Sequence, residues 1–565
     1  MTSRSKVLDS MALLRQRCHF LGFSRWTALA IAIAGLVAAP VIVVLSNIFV
    51  VSGDIWDHLA ATVLPRYIAN SLWLMLGVGC GVLIIGVGTA WLVTLCRFPG
   101  SRIFEWALLL PLAAPAYVLA YTYTDFLEVA GPVQMLLRHW FGWSVHDYWF
   151  PNLRSLGGAI AMLTLVLYPY VYLLSRVAFL EQSTQTLEAS RSLGCGPWRS
   201  FTTVALPLAR PAIIAGLSLV LMETLNDFGT VQYFGVDTFT TGIYRTWFGL
   251  GERVAAAQLA AVLLLFILWL ILLERWSRGQ ARYHQMASRC RQSSTYRLQG
   301  WRAGIAGAAC FFPFFLGFLL PSALLLQMAF HHAQQTFDRH FWQFATNSLI
   351  LAAISATLAV FIAIILAYGL RLRASLAMRV AARIASMGYA VPGSVIAVGV
   401  LMPVGWLDNA IDAWAQATLG ISTGLLLSGT ITTLIFAYLV RFLAISFNTV
   451  EASLTKIKPS LDDAARSLGQ GPTGTLVKVH TPLMWGSLLT AAMLVFVDVM
   501  KELPATLVIR PFNFDTLAIR VYRLASDERL TEASGAALAI VVVGILPVIF
   551  LSFKIAQGRQ GQAEG

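Results

Sequence analysis

Apolar and polar positions along the 565-residue chain alternate in long blocks rather than in the short periods of a soluble fold. Apolar runs near the roughly 20 residues that cross a hydrocarbon core fall at 26–50, 71–95, 104–124, 156–178, 209–233, 254–273, 304–330, 348–370, 384–405, 421–443, 484–508 and 534–553. They predict an all-α polytopic membrane protein of about twelve spans. Among the polar segments between them, one occurs twice. Residues 188–207 read EASRSLGCGPWRSFTTVALP and residues 463–482 read DAARSLGQGPTGTLVKVHTP, with a constant offset of 275, as from Arg191 to Arg466. Each copy predicts a helix ending at Gly194 or Gly469, a second opening at Pro197 or Pro472, and a further boundary at Pro207 or Pro482.

The repeat extends beyond these loops. Asn70-Ser71-Leu72 recurs as Asn347-Ser348-Leu349, and Pro115 has its counterpart in Pro392. The chain therefore divides into a first repeat, 1–273, a basic linker, 274–302, and a second repeat, 303–565. Six spans per half, an even number, give the halves the same orientation, so that a pseudo-twofold axis can run along the membrane normal, with a pathway along it. If both repeated loops are cytoplasmic, both termini are too. Lys and Arg favour that side by roughly three to one over the outer segments. The first span follows Arg15, Arg17 and Arg25 like a signal peptide, but its apolar stretch is too long for a cleaved one and predicts a retained helix.

Composition narrows the function. With 58% hydrophobic and 12% charged residues and a mean hydropathy of +0.72, a soluble enzyme is excluded. The net charge of +13 does not imply nucleic acid, because no soluble basic domain is present; in the linker, Arg275, Arg278, Arg282, Arg289, Arg291, Arg297 and Arg302 suit topology and anionic lipid. Six cysteines without a C-x-x-C pair imply neither disulfides nor zinc. In the longest outer segment, 125–155, His139 and His146 could ligate metal, but Trp140, Trp143 and Trp149 beside them read better as an interfacial belt. No lysine follows a glycine, so there is no P-loop; the chain is expected to bind no cofactor and to carry out no catalysis, with ATP and Mg held by a partner.

Charges inside the spans are the candidate chemistry. Glu223 and Asp227 lie in the fifth, and Asp498, Lys501 and Glu502 in the eleventh, with Glu223 matching Asp498 and Asp227 matching Glu502 at the same offset. Residues four apart share a helical face, and charge at membrane depth is costly unless it meets a cavity or a partner. The four carboxylates can line a shared translocation path, where their oxygens suit transient contact with a hard cation. Alternatively they and Lys501 satisfy one another and fix helix rotation. Without His or Cys among them, no permanent metal site is expected. The outer segments 237–254 and 512–530 also repeat, and Thr241, Arg245, Thr516 and Arg520 are candidates for docking a soluble partner or for shaping an interfacial loop.

The doubled loop resembles the EAA loop of bacterial ABC-importer permeases. Glu188, Ala189, Gly194, Leu206 and Pro207 match the pattern in the first copy, and Ala464, Ala465, Gly469 and Pro482 in the second; Asp463, Ser190 and Thr481 are departures from it. The resemblance implies a type I importer permease whose loops are coupling helices seated in ATPase clefts. METLNDFGTVQYFGVDTFTTGIYRTW and KELPATLVIRPFNFDTLAIRVYRLASDERL are similar to the fused two-repeat permeases of ferric iron importers over nearly the whole length. That likeness implies a bacterial inner-membrane location, a periplasmic binding protein delivering Fe(III), a homodimeric ATPase beneath, and alternating access. Related permeases for thiamine and aminoethylphosphonate share the layout. An ion-coupled secondary transporter would leave the doubled loop without a use, and an intramembrane enzyme built on Asp227 and Glu502 would need a bound substrate at the right distance.

Overall fold

The structure is a computed structural model and describes residues 25–50, 54–182, 190, 192–279 and 296–560. Its long helices are α1 (Arg25–Ser46), α2 (Leu64–Leu95), α3 (Ala116–Leu127), α4 (Leu156–Glu181), α5 (Leu206–Asn226), α6 (Arg253–Gly279), α7 (Trp301–Phe314), α8 (Leu320–His331), α9 (Arg339–Leu372), α10 (Gly393–Leu419), α11 (Ile431–Leu454), α12 (Thr481–Met500) and α13 (Leu530–Gln560). Among the described residues, eleven helical segments are long and apolar enough to cross a membrane, and one bent pair would make twelve. The all-α, multi-span class expected from the hydropathy blocks is what the chain adopts. A two-residue parallel strand pair, Cys96–Arg97 with Tyr296–Arg297, is the only sheet among the described residues.

Where the apolar blocks suggested straight spans, prolines break four of them or bend their ladders. The third run is two helical limbs bent by 91° around residues 114–115. Ala114, preceding Pro115, is extended (φ −99°, ψ 124°), as is Val391 before Pro392 (φ −85°, ψ 125°). A residue before proline is pushed out of the helical region by clash with the ring, so the repeat-related prolines open repeat-related breaks. Pro207 and Pro482 act differently: they do not end a helix. Each follows one wide turn, in which the Leu206 N–H donates to the Phe201 carbonyl and the Thr481 N–H to the Leu476 carbonyl. Opening the ladder to i→i+5 makes room for a ring that would otherwise collide with a carbonyl one turn back. The helical path is thus continuous over Pro197–Asn226, 30 residues, and over Pro472–Met500, 29 residues.

The chain folds as two compact units that cut across the sequence repeats. One comprises residues 1–50 with 347–514, and the other residues 51–346 with 515–565. The first helix therefore belongs to the body built from the second repeat. There α1 packs on α10 and on Leu376–Ala385, while α11 packs on α12. The α1–α10 approach is backbone to backbone: a Cβ built at Gly399 would lie 2.4 Å from the Pro40 carbonyl oxygen. In the other unit α4 is central, flanked by α2 and α5. Gly86 and Gly216 let both neighbours close on Val171, at 2.9 and 3.0 Å from a hypothetical Cβ. Trp91 fills the base of this unit, 4.7 Å from the Phe201 ring and 5.8 Å from Phe179.

Gly399→Ala should force α1 off α10 at a cost of about 1–3 kcal/mol, typical of overpacking, and lower the unfolding temperature in detergent. Gly405→Ala, on the same helix but with nothing within 4 Å, should leave it unchanged or raise it slightly.

Candidate functional site

Over their described residues the two polar loops close the same way. In the second, the helix Pro459–Ser467 ends where the Gly469 N–H donates to the Arg466 carbonyl and the Gln470 N–H to the Ala465 carbonyl, both at 3.0 Å. This paired closure requires a left-handed residue, and Gly469 supplies it with φ 74°. In the first copy Gly194 has φ 81°, and the Cys195 N–H donates to the Ser190 carbonyl at 3.0 Å. Glu188 and Ala189 lie outside the described residues. Asp463 pairs with Arg466 on the surface, Ala464 is exposed and Ala465 is buried. Neither Gly194 nor Gly469 has a neighbour within 4 Å of a would-be Cβ. Beside them Leu193 and Leu468 are 83% and 79% exposed, an apolar tip in the same place on both copies.

The loops are anchored by different chemistry. Asp462 receives the Arg371 guanidinium at 2.7 Å and His480 Nε2 at 2.6 Å; Arg371 also donates to the carbonyls of Leu454 and Ile457, and Tyr368 Oη to that of Pro472. In the first copy the Ser190 and Ser200 hydroxyls bond at 2.8 Å, Gln182 Nε2 donates to the Ala205 carbonyl, and the Trp91–Phe201 contact does the rest. Arg371, Asp462 and His480 were not singled out in the sequence, because nothing local links residues so far apart along the chain.

From each loop the helix runs to an acidic break. α5 stops at Asn226 and Asp227 is extended (φ −62°, ψ 133°). Its carboxylate accepts from the Thr230 and Val231 N–H groups, both at 3.1 Å, and from the Thr230 hydroxyl at 3.0 Å, so it caps the short helix Gly229–Tyr233. α12 stops at Met500, and Glu502 repeats the role by accepting from the Ala505 N–H at 3.1 Å. Here the copies diverge. Glu502 also takes the Arg441 guanidinium at 2.5 Å, with both side chains almost fully buried, and Lys501 pairs with Asp498 at 2.8 Å. Gly393, which opens α10 after the Pro392 break, lies against both: its Cβ would sit 2.6 Å from Glu502 Oε1 and 2.7 Å from Arg441 Nη1. Arg441, a lone cation in the run AYLVRFLAIS, was the available sequence signal for this pair. In the other unit, Glu223 and Asp227 have no ion pair among the described residues.

Another cation within a long apolar helix, Arg176 on α4, is held by Glu105 at 2.6 Å. Of the outer candidates, Thr241 closes a capping box with Thr238 at the start of Phe239–Tyr244, and Thr516 caps Leu517–Ser526. Arg520 is buried against Asp338 at 2.9 Å. These three hold the shape of segments 237–254 and 512–530 and are buried; Arg245, half exposed, pairs with Asp237 at 2.5 Å. His139 and His146 join no group of three or more metal-ligating His, Cys, Asp or Glu side chains among the described residues.

With this geometry in view, residues 82–278 match the family described as binding-protein-dependent transport system inner membrane component. The chain is similar to permeases of such systems. It is 27% identical to the Fe(3+)-transport system permease protein FbpB 2 of Haemophilus influenzae over 86% of this chain and 90% of that one. The putative ferric transport system permease protein FbpB 1 of the same organism is 24% identical over 82% of this chain and 73% of its own length. The molybdenum transport system permease protein ModB of Escherichia coli K12 is 28% identical and aligns over 83% of its length but only 34% of this chain, as a single-repeat relative of a doubled chain would. The apolar helices and the family's description agree on a multi-pass inner-membrane protein.

Removing one partner of a buried ion pair leaves the other charge stranded, at about 3–5 kcal/mol. Arg441→Ala should therefore lower the detergent unfolding temperature strongly, and the double variant Arg441→Met/Glu502→Gln, which keeps an acceptor for the Ala505 N–H, should recover most of the loss.

Proposed function

We propose that this chain is the membrane-spanning permease subunit of an ATP-driven importer, that its cargo is ferric iron handed over by a periplasmic binding protein, and that the two loops at 188–207 and 463–482 engage an ATPase dimer in the cytoplasm. The observation that carries this reading is the doubled loop: one turn geometry, one exposed leucine and one unbroken helix per copy, leading to an acidic break. A rod of 30 residues, about 45 Å at 1.5 Å per residue, carries movement of the loop to the level of Asp227 without a hinge. Closure of the ATPase dimer draws the loops together, and the rods reorient the acidic breaks toward one side of the membrane or the other. Both termini then lie in the cytoplasm, and ATP and Mg are bound by the partner. Iron as cargo is supported by two relatives, aligned over more than four-fifths of this chain, that are named as an Fe(3+)-transport and a putative ferric transport permease.

The deciding experiment assembles the chain with its ATPase in proteoliposomes and offers iron-loaded, thiamine-loaded and aminoethylphosphonate-loaded binding proteins. Iron-loaded protein alone should stimulate ATP hydrolysis and uptake. Stimulation by another cargo would keep the importer and reject iron, and uptake without any ATPase would reject the class.

Gly194→Leu or Gly469→Leu should insert and fold, since the new side chain enters open space and only the left-handed backbone resists it, by about 1–2 kcal/mol. Transport and cargo-stimulated ATP hydrolysis should be lost. Normal uptake by either variant would remove the loops from the mechanism.

A further inference from the structure

Arg154 stands where three elements of one unit meet. Its Nε lies 2.7 Å from Glu128 Oε1, where α3 ends, and its Nη2 lies 3.4 Å from Glu528 Oε1, just past the end of Leu517–Ser526. Its Cζ sits 5.0 Å over the ring of Tyr233, the last residue of the short helix that Asp227 caps. Tyr233 in turn meets Tyr121 of α3 edge-on at 4.4 Å. The backbone fixes Arg154 in place: its N–H donates to Asn152 Oδ1 at 3.0 Å, and Ser155, the next residue, caps α4. Two carboxylates and a cation–π contact thus hold one guanidinium over the helix that follows the acidic break.

One partner in this clamp is held at a backbone cost. The helix Leu517–Ser526 closes as the second polar loop does, with the Glu528 N–H donating to the Ala525 carbonyl at 3.1 Å and the Arg529 N–H to the Leu524 carbonyl at 2.8 Å. That closure needs a left-handed residue. In the loop it is Gly469; here it is a glutamate, Glu528, with φ 59°. A residue with a side chain is disfavoured in that conformation. The ion pair does not return the cost as stability, because Glu528 is 75% and Arg154 34% exposed and exposed pairs contribute little. Strain kept for a contact that adds little to the fold points to another use for the contact.

We infer that Arg154 is a positioning residue for transport: clamped between Glu128 and Glu528, it holds Tyr233, and with it the helix capped by Asp227, against movement, and release of Glu528 frees the acidic break. The inference rests on the importer reading and adds to it the point at which the far end of the rod is held. Asp227 follows the 30-residue helical path that starts beside the first polar loop, so movement of that loop works against the clamp. The arm to Glu528 is the longer and more exposed of the two and opens first, while the arm to Glu128 keeps Arg154 at hand for reclosure. With the clamp intact, ATP hydrolysis waits for the binding protein. Without it the break moves freely, and hydrolysis runs without cargo.

The test uses the full chain assembled with its ATPase in lipid nanodiscs, with ATP hydrolysis measured without and with iron-loaded binding protein and the unfolding temperature measured on the same preparations. Arg154→Gln should raise hydrolysis in the absence of binding protein at least threefold and reduce the further stimulation that the loaded protein gives. Glu528→Gly should do the same with an unfolding temperature equal to or above that of the wild type, since it relieves the left-handed strain; a purely structural contact would not raise hydrolysis. Glu532→Gln, which breaks the neighbouring pair with Arg529, should change neither. Unchanged hydrolysis in Arg154→Gln or in Glu528→Gly would overturn the inference. So would a lower unfolding temperature in Glu528→Gly, which would make the carboxylate a support of the fold, or an equal rise in Glu532→Gln. A wild type that the iron-loaded protein does not stimulate would instead reject the iron-importer reading itself, so the two failures are told apart.

Discussion

A backbone N–H or C=O left unbonded in hydrocarbon costs several kcal/mol, so a membrane helix can be interrupted only where something nearby satisfies the freed groups. That constraint explains where this chain breaks and what stands at each break. Asp227 and Glu502 accept the N–H groups that open the next short helix, and Pro115 and Pro392 begin their helices with a residue that has no N–H to satisfy. The acidic residues at the breaks are therefore structural before they are anything else. A carboxylate that already caps a helix end is fixed in direction.

Duplication supplied two such breaks, and the chain has used them differently. In one, Arg441 turns Glu502 into half of a buried ion pair, with Gly393 permitting the close approach. Such a pair contributes little net stability against its desolvation, but it fixes the rotation of α11 against α12. In the other, Asp227 has no ion pair among the described residues, and Tyr121 of α3 meets Tyr233 of the short helix that Asp227 caps. The same division appears at the loops, where Asp462 is tied by Arg371 and His480 in one copy and serines and aromatic rings do the anchoring in the other. One copy of each pair is locked by charge, and its counterpart is held by packing and neutral hydrogen bonds.

The wide turns before Pro207 and Pro482 connect these levels. A straight α-helix would have ended or kinked at either proline, separating the loop from the acidic break. By absorbing the ring in a single i→i+5 turn, the chain keeps one continuous helical element from the polar loop to the carboxylate.

Hydropathy blocks, the 275-residue offset and the glycine and proline positions determined the class, the number of spans, the doubled plan and the closure of the loops at Gly194 and Gly469. These are local consequences of side-chain polarity and backbone freedom, and they survive whatever the rest of the chain does. The sequence also located the acids at the two breaks, because a charge in an apolar run is conspicuous by itself. It could not say which of them would be neutralised: Arg441 reaches Glu502 across 61 positions and Arg371 reaches Asp462 across 91. Nor could it place α1 with the second repeat, or reveal that Thr241, Thr516 and Arg520 are buried rather than presented outward. Periodicity reports which face of a helix is apolar, whereas partner choice depends on the packing of distant helices, and that only the tertiary structure decided.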